Sequence, residues 1–172
     1  MARSAGVEEY SRAFGHETHD DRLMFEFLLV GVFQVGMNWQ VAASKLPVYR
    51  RVFANLDIKK VAAMDLENID AIMADPDMIH NQRKIRAVIK NARAIVSVQQ
   101  EYGSFANYMW QFVDGVPHTK TYENEDEVEM TTPFAGTVAK DMKQHGFTFV
   151  GPTVTYLFMK ASGMIQDQVL NR

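Results

Sequence analysis

The sequence predicts an all-α fold, and three observations carry that prediction. Apolar residues recur at helical spacing from end to end, strand-type alternation is scarce, and the periodic stretches are separated by capping residues, glycine and proline. The 172 residues are 47% hydrophobic and 23% charged, an ordinary globular composition. That length suits one domain, 1–172, with a buried core and no internal repeat.

The elements follow in order. Arg22 to Phe33 forms the first strong helix, with Asp20 and Asp21 placed to cap it. Gly36 and Asn38 interrupt it, and a second helix runs from Trp39 to about Phe53, with Pro47 near a bend. "LDIKKVAAMD" gives a short helix capped by Asp57. Asp65 opens "LENIDAIMA", with Asn68 and Asp70 on its wet side. Pro76 breaks the chain, after which Ile85, Val88, Ile89, Ala92, Ile95 and Val96 fall at helical spacing. Residues 65–100 thus read as helix, tight hairpin, helix. "GSFANYMWQFV" is an aromatic helix begun at Ser104. Residues 114–130 are polar, acidic toward their end, and read as a long loop. Thr132 and Pro133 supply a cap and a first-turn proline for a helix ending at Gly146. A last helix follows "GFTFVGPT" to about Ser162, with Gly163 beyond its end.

Composition excludes several classes. With no cysteine, disulfides and thiolate metal sites are ruled out, which fits a cytoplasmic protein. "MARSAGVEEYSR" lacks the apolar core of a signal peptide. The longest apolar run, Phe27 to Phe33, is too short to span a bilayer, so no membrane role is expected. The net charge of −3 leaves no general basic field, and any attraction to nucleic acid must come from local patches. No phosphate-binding glycine loop, serine elbow or paired-carboxylate signature appears.

One such patch exists. From Met78 to Gln100 there are five basic side chains, Arg83, Lys84, Arg86, Lys90 and Arg93, and no acid. A helix start after a tight hairpin offers free N–H groups and a positive dipole end. His80, Asn81 and Gln82, with Arg83 and Lys84 beside them and Arg86 and Lys90 further along, would make a phosphate clamp. The alternative is a solvated basic helix face. Trp39 likewise has two readings, core residue or stacking platform, and Phe33, Tyr156, Phe14 and Tyr10 are the aromatics that would join it in the second. "HETH", 16–19, has two histidines in a loop and no third ligand at suitable spacing, so no metal is expected there.

Three blocks carry a family resemblance: "HGFTFVGPTVTYLFMKASGMIQD" at 145–167, "VAAMDLENIDAIMADPDMIHNQRKIRAVIKNARA" at 61–94, and "FQVGMNW" at 33–39. In this order they resemble the 3-methyladenine DNA glycosylase I family of helix-hairpin-helix proteins. The resemblance implies a helical bundle of two lobes, a base pocket between them, and a hairpin gripping the backbone of double-stranded DNA that contains a damaged base. Members excise 3-methyladenine in base-excision repair by hydrolysing its N-glycosidic bond after flipping the nucleotide out. Trp39 corresponds to the family's stacking tryptophan, with Gln34 and Asn38 in the same segment. The base-contacting tyrosine falls at Glu9, with Tyr10 next to it and Phe14 beyond.

Two departures stand out. The family's base-binding glutamate, eight residues before that tryptophan, is Gly31 here, so no catalytic residue is assigned. Glu9, Glu17 and Glu26 are the carboxylates to examine as replacements. The family's zinc ligands are replaced by Tyr10, Gln168 and Arg172, so the zinc is expected to be lost and the termini held by packing through residues such as Met164 and Ile165. The expected function is a glycosylase acting on an alkylated purine. The alternatives are a lesion-binding homologue without excision activity, or a binder of small aromatic ligands.

Overall fold

Side-chain caps set where most helices begin. The computed structural model describes residues 4–172, so the first three residues of the stretch read for a signal peptide lie outside it. Ten α-helices follow one another: α1 (Ala5–Ala13), α2 (Asp21–Gln34), α3 (Trp39–Ser44), α4 (Leu46–Val52), α5 (Ile58–Ala62), α6 (Leu66–Ala74), α7 (Gln82–Tyr102), α8 (Phe105–Trp110), α9 (Pro133–Gln144) and α10 (Pro152–Ala161). Ser4, Asp20, Asn38, Asp57, Asp65, Asn81, Ser104 and Thr132 each accept a hydrogen bond from a first-turn N–H of the helix they precede. The two helices without such a cap, α4 and α10, carry a proline in their first turn instead. There the missing N–H costs nothing.

Helix α2 is apolar on almost every side, so it is central. Met24, Phe25 and the run from Phe27 to Phe33 are buried, and α3, α7, α8 and α10 pack around it. Its Asp21 carboxylate accepts from Phe105 N (2.9 Å), Ala106 N (2.8 Å) and Gln99 Nε2 (2.9 Å), so one acid holds the starts of α2 and α8 together. Helix α7 lays Ile85, Val88, Ala92 and Ile95 against the core. Its buried Asn91 pins the loop before α10 by exchanging two hydrogen bonds with the Thr148 backbone, at 3.1 and 2.8 Å.

The helical class holds, with three differences from the sequence reading. Helix α1 was not expected; it forms because Ser4 caps it and Gly6, Val7 and Tyr10 share a buried face. The helix expected over 39–53 divides at Lys45, where Pro47 restarts the chain as α4. Residues 114–130 are not all loop. Strand β1 (His118–Asn124) pairs in parallel with β2 (Ile165–Asn171), from His118 opposite Ile165 to Asn124 opposite Asn171. Met164 and Ile165 are buried where β2 leaves the core.

The N-terminal segment is tied to the same end of α10. Gly15 N donates to Ala161 O (2.9 Å) and Thr18 N to Ser162 O (3.2 Å). Gly163 lies in the left-handed region at φ +79°, and a Cβ there would come within 2.4 Å of Glu17 N, so both its backbone and its neighbour demand glycine. No helix is long and apolar enough to cross a membrane among the described residues.

Candidate functional site

The ends of α1 and α2, the start of α3, and α10 surround a cavity of about 400 Å³ lined by Tyr10, Ser11, Phe14, Gln34, Trp39, Met130 and Leu157. Tyr10 is its centre. Its ring lies 6.0 Å from that of Trp39 at 35°, 5.7 Å from Phe14, and 6.0 Å from Phe27 edge-on. Burial, then the nearby Glu26 carboxylate, push the Tyr10 hydroxyl far above the ordinary phenol range, so it stays neutral. Among the described residues the lining therefore consists of aromatic faces, aliphatic groups and neutral polar groups, with no charged side chain. Such a space suits a flat, electron-poor ring.

Of the residues proposed from sequence for this pocket, Trp39, Tyr10, Phe14 and Gln34 meet there. Four do not. Asn38 accepts from Val41 N (3.1 Å), so its side chain is the cap of α3. Phe33 is fully buried and stacks on Tyr49 at 4.9 Å. Tyr156 is buried beneath the ammonium of Lys160, 4.7 Å from its ring centre. Glu9 turns away because it sits about 100° around α1 from Tyr10. Arg50 Nη1 and Nη2 grip its two oxygens at 2.9 and 2.7 Å, and the same guanidinium donates to Glu26 Oε1 at 3.0 and 2.7 Å. This group lines a separate hollow with Asp20, Arg22 and Asn55. Arg50 holds the Glu9 carboxyl below the ordinary glutamate range. Glu17 faces His19 at 3.2 Å, whose ring stacks on Trp110. None of the three candidate acids lines the cavity. Gly31 faces α10, where a Cβ would sit 3.5 Å from Val154 Cγ1.

Ser11, Met130 and Leu157 were missed. Met130 falls in a stretch read as solvated loop, and Leu157 is indistinguishable in sequence from its buried neighbours in α10. Ser11 directly follows Tyr10 in a helix that sequence did not reveal.

The hairpin between α6 and α7 is rigidly held. Asp75 accepts from both ends of the Arg51 guanidinium and from Asp77 N (2.9 Å). His80 Nε2 donates to Asp75 O at 2.7 Å, and Lys45 Nζ to Asp77 O at 2.8 Å. Asn81 caps α7 through Lys84 N (3.0 Å). Gln82, Arg83, Arg86 and Lys90 are exposed along one side of α7, Arg83 lying 5.5 Å over the Phe149 ring.

Lys84 corrects the phosphate-clamp reading. It is only 6% exposed, and its ammonium donates to Phe33 O (2.9 Å) and to Val35 O. It caps the C-terminal end of α2 from inside, and burial draws its pKa below the ordinary lysine range. Arg93, though exposed, donates to Ala62 O (2.8 Å) at the end of α5 and to Met64 O (2.7 Å) beyond it. The basic run is thus divided: Arg83, Arg86 and Lys90 face outward, while Lys84 and Arg93 close helix ends.

The residues at the positions of the family's zinc ligands do not fit a zinc ion. Tyr10 is packed among rings, Gln168 faces Thr121, and the Arg172 guanidinium donates to Glu125 at 2.7 Å. A phenol, an amide and a guanidinium are not a zinc donor set. No cluster of three His, Cys, Asp or Glu is assembled among the described residues.

Comparison with known proteins matches residues 3–171 to the methyladenine glycosylase family. The chain is 32% identical over 164 residues to DNA-3-methyladenine glycosylase 1 of Escherichia coli K12, covering 95% of this chain and 88% of that protein. A solved structure of a 3-methyladenine DNA glycosylase I variant in complex with 3-methyladenine superposes with a TM-score of 0.89 at 27% identity, over 95% of this chain and 89% of that one. The structure of 3-methyladenine DNA glycosylase I from Staphylococcus aureus, described for 3-methyladenine recognition, gives 0.88 at 28% identity, over 92% and 85% of the two chains.

Proposed function

The chain belongs to the methyladenine glycosylase family, and from that premise we propose that it hydrolyses the N-glycosidic bond of an alkylated purine flipped out of double-stranded DNA. The observation that carries this reading is the aromatic cavity of Tyr10, Phe14 and Trp39 joined mechanically to the hairpin. Lys84 fixes the start of α7 to the carbonyls on either side of Gln34. A phosphate held by the N–H groups of α7 and by Arg83 would therefore stand at a set distance from the cavity.

The chemistry is divided between substrate and protein. Alkylation at a ring nitrogen places positive charge on the base, so the C1′–N bond can break with its electron pair leaving on the base. Water then adds to the oxocarbenium-like sugar and loses a proton. The protein's task is to hold the base out of the helix by stacking, worth about 1–3 kcal/mol per aromatic contact, and to place the sugar within reach of water. With neutral Tyr10 and no acid among the described residues of the lining, none of these side chains is suited to protonate an unactivated leaving base. This restricts the proposed substrates to bases that already carry charge. The terminal region works without metal in this reading, since its side chains supply no donor set.

The same lack of a carboxylate favours one other reading, a lesion-binding protein without excision. Release of free methylated base from alkylated DNA, followed by chromatography, separates the two. Release above the spontaneous rate that disappears in Trp39→Ala supports the enzyme. Salt-sensitive binding with no release at high protein excess removes it.

A further inference from the structure

Gln34 presents an unsatisfied acceptor at the cavity wall. Its Oε1 is buried and accepts no hydrogen bond from the described residues, although a buried amide oxygen ordinarily has a donor. Around it the cavity offers rings, a methionine, a leucine and a serine. The acids close enough in sequence to serve instead, Glu9 and Glu26, are both held by Arg50. Gly31, one turn earlier on α2, contributes no side chain. Among the described residues lining this space, Gln34 is thus the one that combines an amide acceptor with an amide donor in a single plane.

We propose that Gln34 reads the edge of the extruded base, its carboxamide accepting from the exocyclic N6 amino group of an adenine-type ring and donating to N7. That pairing is the one a glutamine amide makes with adenine elsewhere. The assignment rests on the base-excision reading for the presence of a purine in the cavity, and it adds what selects that purine. A carboxamide is uncharged, so it binds methylated and unmethylated adenine through the same edge. A guanine-type edge shows acceptors at both O6 and N7, and the amide satisfies only one of them. The cavity therefore chooses adenine over guanine, and the methyl group is selected by the weakness of the glycosidic bond it creates.

The test is quenching of Trp39 fluorescence by free adenine, 3-methyladenine and guanine, with the buried Trp110 as constant background. The native protein is expected to bind adenine and 3-methyladenine within roughly tenfold of each other, and guanine roughly tenfold or more weaker. Gln34→Leu, and Gln34→Met as a second variant in case the first misfolds, should weaken both adenines by roughly tenfold and erase the preference over guanine. Unchanged adenine binding in a folded variant overturns the proposal, as does a native protein that binds none of the three. Release of methylated base from alkylated DNA is measured alongside. If release is absent while adenine binding depends on Gln34, the excision reading falls and the assignment of Gln34 stands. If release is present but indifferent to Gln34, the assignment falls alone.

Discussion

Replacing Lys84 with methionine discriminates between two roles for one cation. As a phosphate ligand it would matter to DNA and hardly to folding. The structure makes it an internal cap, with its ammonium on Phe33 O and Val35 O. Each charge-assisted bond is worth about 1.5–3 kcal/mol, so about 3–6 kcal/mol is lost with the pair. Removing the ammonium offsets a part of this by relieving its burial, and methionine preserves most of the packing of the stem. The net expectation is a loss of about 2–4 kcal/mol. For a chain of this size that lowers the melting temperature by roughly 5–15 °C. Thermal and urea unfolding measure the loss. DNA affinity between low and moderate salt, taken well below the melting range, measures the other role. Lys84→Met should keep the native salt slope. A variant with native stability and a slope smaller by about one counterion would refute the internal-cap reasoning.

Arg83→Glu combined with Arg86→Glu should weaken DNA binding and flatten its salt dependence by about two counterions, with little change in melting temperature, because both side chains are exposed. Trp39→Ala should slow base release by at least roughly tenfold, the worth of one lost stacking face, with circular dichroism unchanged. Asp167→Ala removes the carboxylate 2.7 Å from the Lys160 ammonium, which is 12% exposed and keeps Glu129 O (2.8 Å) and the Tyr156 ring. A destabilisation of about 1.5–3 kcal/mol is expected, the worth of one charge-assisted bond, with β1 and β2 losing amide-exchange protection. For Glu9, the folded pKa lies below the ordinary 4.5. The unfolded chain therefore takes up the proton first as pH falls, and the stabilisation present above pH 4.5 is lost as pH drops through the folded value. Because Glu9 is half exposed, the effect is about 1 kcal/mol at most. Glu9→Gln should flatten the acid limb of the stability curve below pH 4.5.

What was legible in the sequence was chiefly local. Asp20, Asp57, Asp65, Ser104 and Thr132 announce their helices because a cap and its helix lie within four residues of each other. Strand β1 gave no such signal. Its side chains are mostly exposed, so no apolar alternation marks it, and its pairing partner lies 47 residues further along the chain. The site divides in the same way. Trp39 and Gln34 share one motif, whereas Met130 and Leu157 arrive from distant elements. Lys84 was misread because charge was counted without regard to face. It sits one turn before Val88 and two before Asn91, on the stripe that α7 buries. That position, more than the charge itself, foretold an inward ammonium. Glu9 shows the converse: adjacent to Tyr10 in sequence, it lies about 100° around the helix and meets Arg50 instead.

The parallel ladder also fixes when the molecule can become competent. During synthesis, residues 118–124 leave the ribosome well before 165–171, and until the latter emerge β1 lacks the strand it pairs with. Met130, which lines the cavity, lies six residues beyond the end of β1. A chain stopped at Gly163 would contain the rings Tyr10, Phe14 and Trp39 of the cavity yet lack the strand that pairs with β1. Residues 165–171 thus matter to that segment although none of them lines the cavity.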